Sequence, residues 1–147
     1  VCFGRADKGA PRLHGIKVGG NAEGTLGAHL WRRDSVSSFV PSPAAYKGLV
    51  YILSDRGQVA CIDPATGDAR WSSELPRASS NFYASPVIVD GVMYAAREDG
   101  TVFVVRVEGG FELLSESKLD DHLIAGLVPA GGRIFARGNS YLYCFGK

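Results

Sequence analysis

Between residues 36 and 119 the same β-unit is written twice. Ser42-Pro43 recurs as Ser85-Pro86, Gly48 as Gly91, Tyr51 as Tyr94 and Gly57 as Gly100, each at a spacing of 43 residues. A fixed period of about 40–50 residues holding four short strands is the sequence form of a β-propeller blade. Such a unit cannot bury both of its faces alone. Its core is made with its neighbours, so the repeat fixes the architecture before any chemistry is considered.

The fullest unit runs from Ser37 to Leu75. Residues 39–46, 49–54, 58–62 and 69–73 read as four strands, with Asp55-Arg56-Gly57 as a tight turn and residues 63–68 as a longer one. Val50-Tyr51-Ile52-Leu53 is apolar without alternation, which predicts a strand buried on both faces. The next unit repeats the plan, and Asp90-Gly91 is a two-residue hairpin signal. Leu114 lies 43 residues after Trp71 and is expected to take its place as an apolar plug.

The two ends read as partial copies. The first lacks a first strand, with Trp31 standing 40 residues before Trp71. The last lacks a fourth strand. The expected fold is therefore all-β: a partial β-propeller of four-stranded antiparallel blades, two complete and two partial, in units of about 1–35, 36–78, 79–119 and 120–147. Residues 19–27 read as a Gly-rich surface connection and not as a phosphate loop, since the lysine and the following helix are missing. The chain begins with Val1 and shows no signal peptide. Together with the two partial units, this leads to the expectation that it is the C-terminal portion of a larger propeller.

Charge and composition exclude several partners. The net charge is +1 with no basic stripe, which argues against nucleic acid. No apolar run reaches the roughly 18 residues of a membrane span. Cys2, Cys61 and Cys144 are an odd number with no CxxC, so they read as buried free thiols rather than a disulfide framework. His14, His29 and His122 have no metal-ligand spacing. Asp120-Asp121 is the only pair of adjacent aspartates, and it falls in a link between units. A calcium site needs six to eight oxygens, and no D-x-D-x-D loop supplies them. Phe39, Phe82 and Tyr83 lie in or just before first strands. They read either as an aromatic contact surface at the channel mouth or as packing between blades.

The run from Cys61 to Trp71 resembles the repeat of PQQ-like β-propellers, whose A-x-D-x-x-T-G-x-x-x-W pattern is met by Asp63, Thr66, Gly67 and Trp71. Cys61 stands where the pattern has alanine. Asp63 and Thr66 are suited to bonding turn amides, Gly67 to a left-handed corner, and Trp71 and Trp31 to plugging the gap against the next blade. These are structural roles, and no catalytic, cofactor-binding or metal-binding residue is assigned.

The resembled family includes quinoprotein alcohol dehydrogenases, which are enzymes, and the BamB-like lipoprotein of the outer-membrane β-barrel assembly machine, which is a scaffold. The resemblance implies an exported, periplasmic or cell-envelope protein. The favoured expectation is a non-enzymatic binding or scaffold module, with no cofactor. Its expected partners are other proteins or the missing half of its own propeller. The rival is part of a PQQ-dependent oxidoreductase whose quinone and calcium sites lie in the missing half.

Overall fold

The computed structural model describes residues 2–3, 12–17, 28–34 and 36–146. The predicted Gly-rich connection at 19–27 and the side chain of Cys2 lie outside the described residues. Among the described residues there is no helix, and the strands form four antiparallel sheets. The first sheet holds β1 (Cys2–Phe3), β2 (Arg12–Ile16) and β3 (His29–Arg33). The second holds β4 (Ala44–Tyr46), β5 (Leu49–Leu53), β6 (Gln58–Ile62) and β7 (Ala69–Glu74). The third holds β8 (Val87–Val89), β9 (Val92–Ala96), β10 (Thr101–Arg106) and β11 (Glu112–Lys118). The last holds β12 (Val128–Ala130), β13 (Arg133–Arg137) and β14 (Leu142–Phe145). Each sheet is a simple meander in chain order. This is a run of propeller blades, two with four strands and two with three, as the repeat required.

Turn chemistry sets the hairpins. The β4–β5 turn places Lys47 and Gly48 at φ of 47° and 75°, and the β8–β9 turn places Asp90 and Gly91 at 49° and 75°. Positive φ at both central residues belongs to the mirror-image turn that matches the twist of paired strands. The innermost strands are shorter than the sequence suggested, starting at Ala44 and Val87 instead of 39 and 84. Pro41, Pro43 and Pro86 lack the N–H that a ladder needs, so the chain before each strand runs unpaired. The Ser42 N–H instead donates to Ser85 Oγ at 2.9 Å, tying one blade's entry to the next.

The core lies between blades. Leu13 and Val36 pack with Ile52, Ala60 and Ile62 at the first junction. Tyr51, Leu53, Val59 and Cys61 meet Met93, Ala95, Phe103 and Val105 at the second. Ala96 meets Leu123 and Ala136 at the third. β5 thus sends Val50 and Ile52 to one core and Tyr51 and Leu53 to another, which is why its sequence does not alternate.

One expected equivalence is wrong. β7 pairs Cys61 with Trp71 and Ile62 with Ala69, leaving Arg70 as a bulge. β11 pairs Val104 with Ser115 and Val105 with Leu113, leaving Leu114 as the bulge. β3 follows the same rule, with Gly15 opposite Trp31, Ile16 opposite His29 and Leu30 between. Leu114 therefore corresponds to Arg70, and Ser115 corresponds to Trp71. The stretch between the paired residues Val105 and Leu113 is one residue longer than the stretch between Ile62 and Ala69, which shifts the frame. Leu114 is 40% exposed and plugs nothing. Cys144 also differs from expectation: it is exposed, whereas Cys61 is buried. Cys144 lies on the last strand, with no following strand or blade among the described residues to cover it.

Candidate functional site

The Asp63–Gly67 turn and Trp31 form a dock between the first two blades. Asp63 Oδ1 accepts the Ala65 N–H at 3.0 Å, and Thr66 Oγ1 accepts the Asp68 N–H at 3.2 Å. Gly67 takes φ of 78° and donates its N–H to the Asp63 carbonyl at 2.7 Å. Trp31 of the preceding blade lies against this corner. A Cβ on Gly67 would fall 2.4 Å from the indole, and one on Gly15 would fall 2.2 Å from it. The indole Nε1 donates to the Pro64 carbonyl at 2.8 Å. Arg33 Nη2 donates to the Thr66 carbonyl at 2.7 Å and to Asp68 Oδ1 at 2.6 Å. Backbone hydrogen bonds and the Arg70 guanidinium hold the Asp63 carboxyl below its usual range.

Trp71 repeats the arrangement at the next junction. It is half-buried, with ring centroids 5.9 Å from Tyr51 and 6.2 Å from Phe111. Cys61 lies beneath it in the same core. Burial pushes the Cys61 thiol up, and it pushes the neighbouring Tyr51 phenol up to about 12. Neither group is poised for chemistry at neutral pH.

The opposite rim carries the tight turns and the links between blades. Here the sequence reading missed two residues. Arg97, only 6% exposed, packs over the rings of Phe82 and Phe103, with its guanidinium carbon 6.0 and 5.1 Å from their centroids. It donates to the Pro76 carbonyl at 2.8 Å and to both oxygens of Asp99 at 3.1 Å. Desolvation alone would raise the Asp99 carboxyl, but Arg97 and Thr101 outweigh it and hold it far below its usual range. Asp121 is the second. Its carboxylate accepts the N–H groups of His122, Asn139, Ser140 and Tyr141 and the Tyr143 hydroxyl, at 2.8–3.3 Å. It thereby pins the last tight turn to the link. Nothing in the sequence marked Asp121 apart from its neighbour Asp120.

On this rim an open polar groove of about 480 Å³ is lined by Ser37, Asp55, Arg56, Glu74 and Arg77, among others. Arg77 pairs with Glu74 at 2.8 Å. Two and three residues beyond Ser37 stand Phe39 and Val40, 55% and 47% exposed. The three aromatics singled out in the sequence therefore separate. Phe39 faces solvent outside any strand. Phe82 is buried in the second core and presents no contact surface. Tyr83 is half-buried, its hydroxyl 3.3 Å from Asn81 Nδ2.

No group of three or more His, Cys, Asp or Glu side chains that could hold a metal exists among the described residues. Asp63, Asp99 and Asp121 accept N–H donors or face guanidinium groups. β2 and β3 do bring His14 and His29 together, with Nδ1 and Nε2 3.1 Å apart, which their spacing in sequence had not suggested.

The family model described as outer membrane protein assembly factor BamB matches residues 21–142. This chain belongs to that family of PQQ-like repeat propellers. Among solved structures, BamB from Moraxella catarrhalis superposes with a TM-score of 0.63 at 18% identity, over 80% of this chain and 34% of that one. A europium-containing methanol dehydrogenase superposes with a TM-score of 0.57 at 14% identity, over 73% of this chain and 21% of that one. A curated relative, the tetrathionate hydrolase of Acidianus ambivalens, is 28% identical over 97 residues, which is 60% of this chain and 18% of the hydrolase. The BamB-like chain thus spans about a third of the length of BamB and less of the two enzymes. These solved structures share its fold at identities too low to transfer chemistry.

Proposed function

We propose that this chain is part of a non-enzymatic binding or scaffold propeller in an exported protein that assembles with other proteins at the cell envelope. The groove on the link rim is the observation that supports this reading. Its wall alternates acid and base, Asp55, Arg56, Glu74 and Arg77, and exposed Phe39 and Val40 closely follow its lining residue Ser37 in the chain. An apolar anchor next to a polar, charge-bearing rim is the make-up of a protein–protein interface. Under this reading the partner presents a peptide segment that offers an apolar pocket to Phe39 and mixed charges to the groove. No resident cofactor is needed.

The relatives also include two proteins named as enzymes, so the rival reading is an oxidoreductase or hydrolase whose reacting groups lie outside this chain. The test is site-specific photocrosslinking from position 39 in cells making the whole protein, with Phe39→Asp and Arg77→Glu as interface variants. Specific adducts with envelope proteins, lost in Arg77→Glu, support the scaffold reading. Dye-linked alcohol oxidation by the whole protein on adding PQQ and calcium, with no adduct from position 39, overturns it.

A further inference from the structure

β2 and β3 bring two imidazoles together on one face of the first sheet. His14 stands opposite Arg32, and Ile16 stands opposite His29. Side chains alternate along a strand, so residues 14 and 16 share a face, and residues directly opposite share it with them. Residues 29 and 32 are an odd number apart and would point to opposite faces of a regular strand. The bulge at Leu30 removes that conflict and turns His29 to the side of His14. His14 Nδ1 then lies 3.1 Å from His29 Nε2, with the ring centroids 5.3 Å apart. By strand pairing the same places hold Ala60 and Ala69 in the second blade and Phe103 and Leu113 in the third. The blade plan therefore does not require the pair.

We propose that His14 and His29 are the two protein ligands of a site for a divalent transition-metal ion of the zinc and copper class. Neutral imidazole is a ligand that such ions favour. Metal–nitrogen bonds of about 2.0–2.1 Å, meeting at angles between a right angle and the tetrahedral one, set two donor atoms about 2.8–3.4 Å apart. The observed separation of 3.1 Å falls within that span. A hydrogen bond between two imidazoles needs one ring N–H between them. The ion takes the place of that proton, which leaves to solvent, and each nitrogen then gives its lone pair to the metal. Two of the four positions usual for zinc are left for water or other groups. Arg32, on the same face, is matched by Asp34 through hydrogen bonds of 2.7 and 2.9 Å. Arg12, two residues before His14, opposes a cation, so moderate affinity is expected. Calcium and magnesium are excluded, because they seek oxygen ligands.

Titration of the whole protein with Zn2+ tests this, read by protection of histidines from diethyl pyrocarbonate and located by peptide mass spectrometry. His14 and His29 are expected to be protected together, with one midpoint, while the exposed His122 stays reactive. In His14→Ala the midpoint for His29, and in His29→Ala that for His14, is expected to rise at least tenfold. Alanine stands at both places in the second blade, so both variants are expected to fold, and circular dichroism checks it. The readout is residue by residue, so zinc held elsewhere, as on the exposed Cys144 thiol, does not enter it. Ca2+ is expected to protect neither histidine. The proposal is overturned if neither is protected up to millimolar zinc, or if Ca2+ protects both equally well. It is also overturned if each histidine keeps its midpoint in the folded variant lacking the other. Protection of His122 at the same midpoint would mean an adventitious ion only, and overturns it too.

Discussion

Replacing Trp71 by alanine tests the blade-to-blade account of stability most directly. Trp71 sits on β7, the outer strand of its sheet, and reaches across to the next blade through Phe111. A fully buried large aromatic removes about 150–250 Å² from water. Half of that for this half-buried ring, at about 25 cal/mol per Å², gives ~2.5 kcal/mol. Losing the ring pairs with Tyr51 and Phe111, at the low end of their usual worth, adds roughly 0.5 kcal/mol each. The sum is about 3.5 kcal/mol, within the usual range of about 3–5 for such truncations. A domain is commonly held by roughly 5–15 kcal/mol, so the loss is a large share. With a urea slope of about 1–3 kcal/mol per molar, the unfolding midpoint should fall by more than 1 M. Trp71→Leu keeps part of the apolar area without the ring pairs, and about half the loss is expected. A Trp71→Ala midpoint within experimental error of the parent would refute the reasoning. The indole would then be a surface group, and the second core would be closed without it.

Gly100→Ala should be more damaging than Gly48→Ala, although both have positive φ. A Cβ at 100 falls 2.2 and 2.4 Å from the Leu119 and Asp121 carbonyls, whereas at 48 it meets nothing within 4 Å. Backbone oxygens cannot swing aside, so a loss of at least about 2 kcal/mol is expected at 100 and about 1 at 48, read from denaturant midpoints. Asp99 and Asp121 both have folded carboxyls held below the unfolded value of about 3.9. Their stabilisation is therefore complete above that value and is lost as pH falls through the folded one. Stability measured from pH 6 downward should drop below about pH 4, and Asp121→Asn should flatten part of that drop while being less stable at pH 6. Thiol labelling in the native state should mark Cys144 quickly and Cys61 only on unfolding, as peptide mass spectrometry would show.

The sequence carried the blades because their determinants are local. The 43-residue spacing of Ser-Pro, Gly and Tyr positions fixes turns and strand starts, and Val50 to Leu53 shows by its lack of alternation that the sheet is covered on both sides. Asp63, Thr66, Gly67, Trp31 and Trp71 were legible for the same reason, since a turn motif and a bulky residue at fixed offset meet through the next blade's corner. Arg97 and Asp121 were not. Each acts on a link or turn that is distant along the chain: Arg97 on the Pro76 carbonyl, Asp121 on the amides of 139–141. No short pattern encodes such a reach. The exposed Phe39 and the buried Phe82 stand 43 residues apart before first strands, yet one faces solvent and the other lies in a core.

Leu114 shows how far a constant period can be trusted. Counting 43 residues from Trp71 lands on it, and the pairing lands one residue further on. A bulge sits at the same point of all three outer strands, so the sheets tolerate the irregularity identically, and the difference lies in the one extra residue between Val105 and Leu113. Because side chains alternate along a strand, a one-residue shift exchanges faces. The large residue goes to solvent, and a serine stands where the earlier blades hold Trp31 and Trp71.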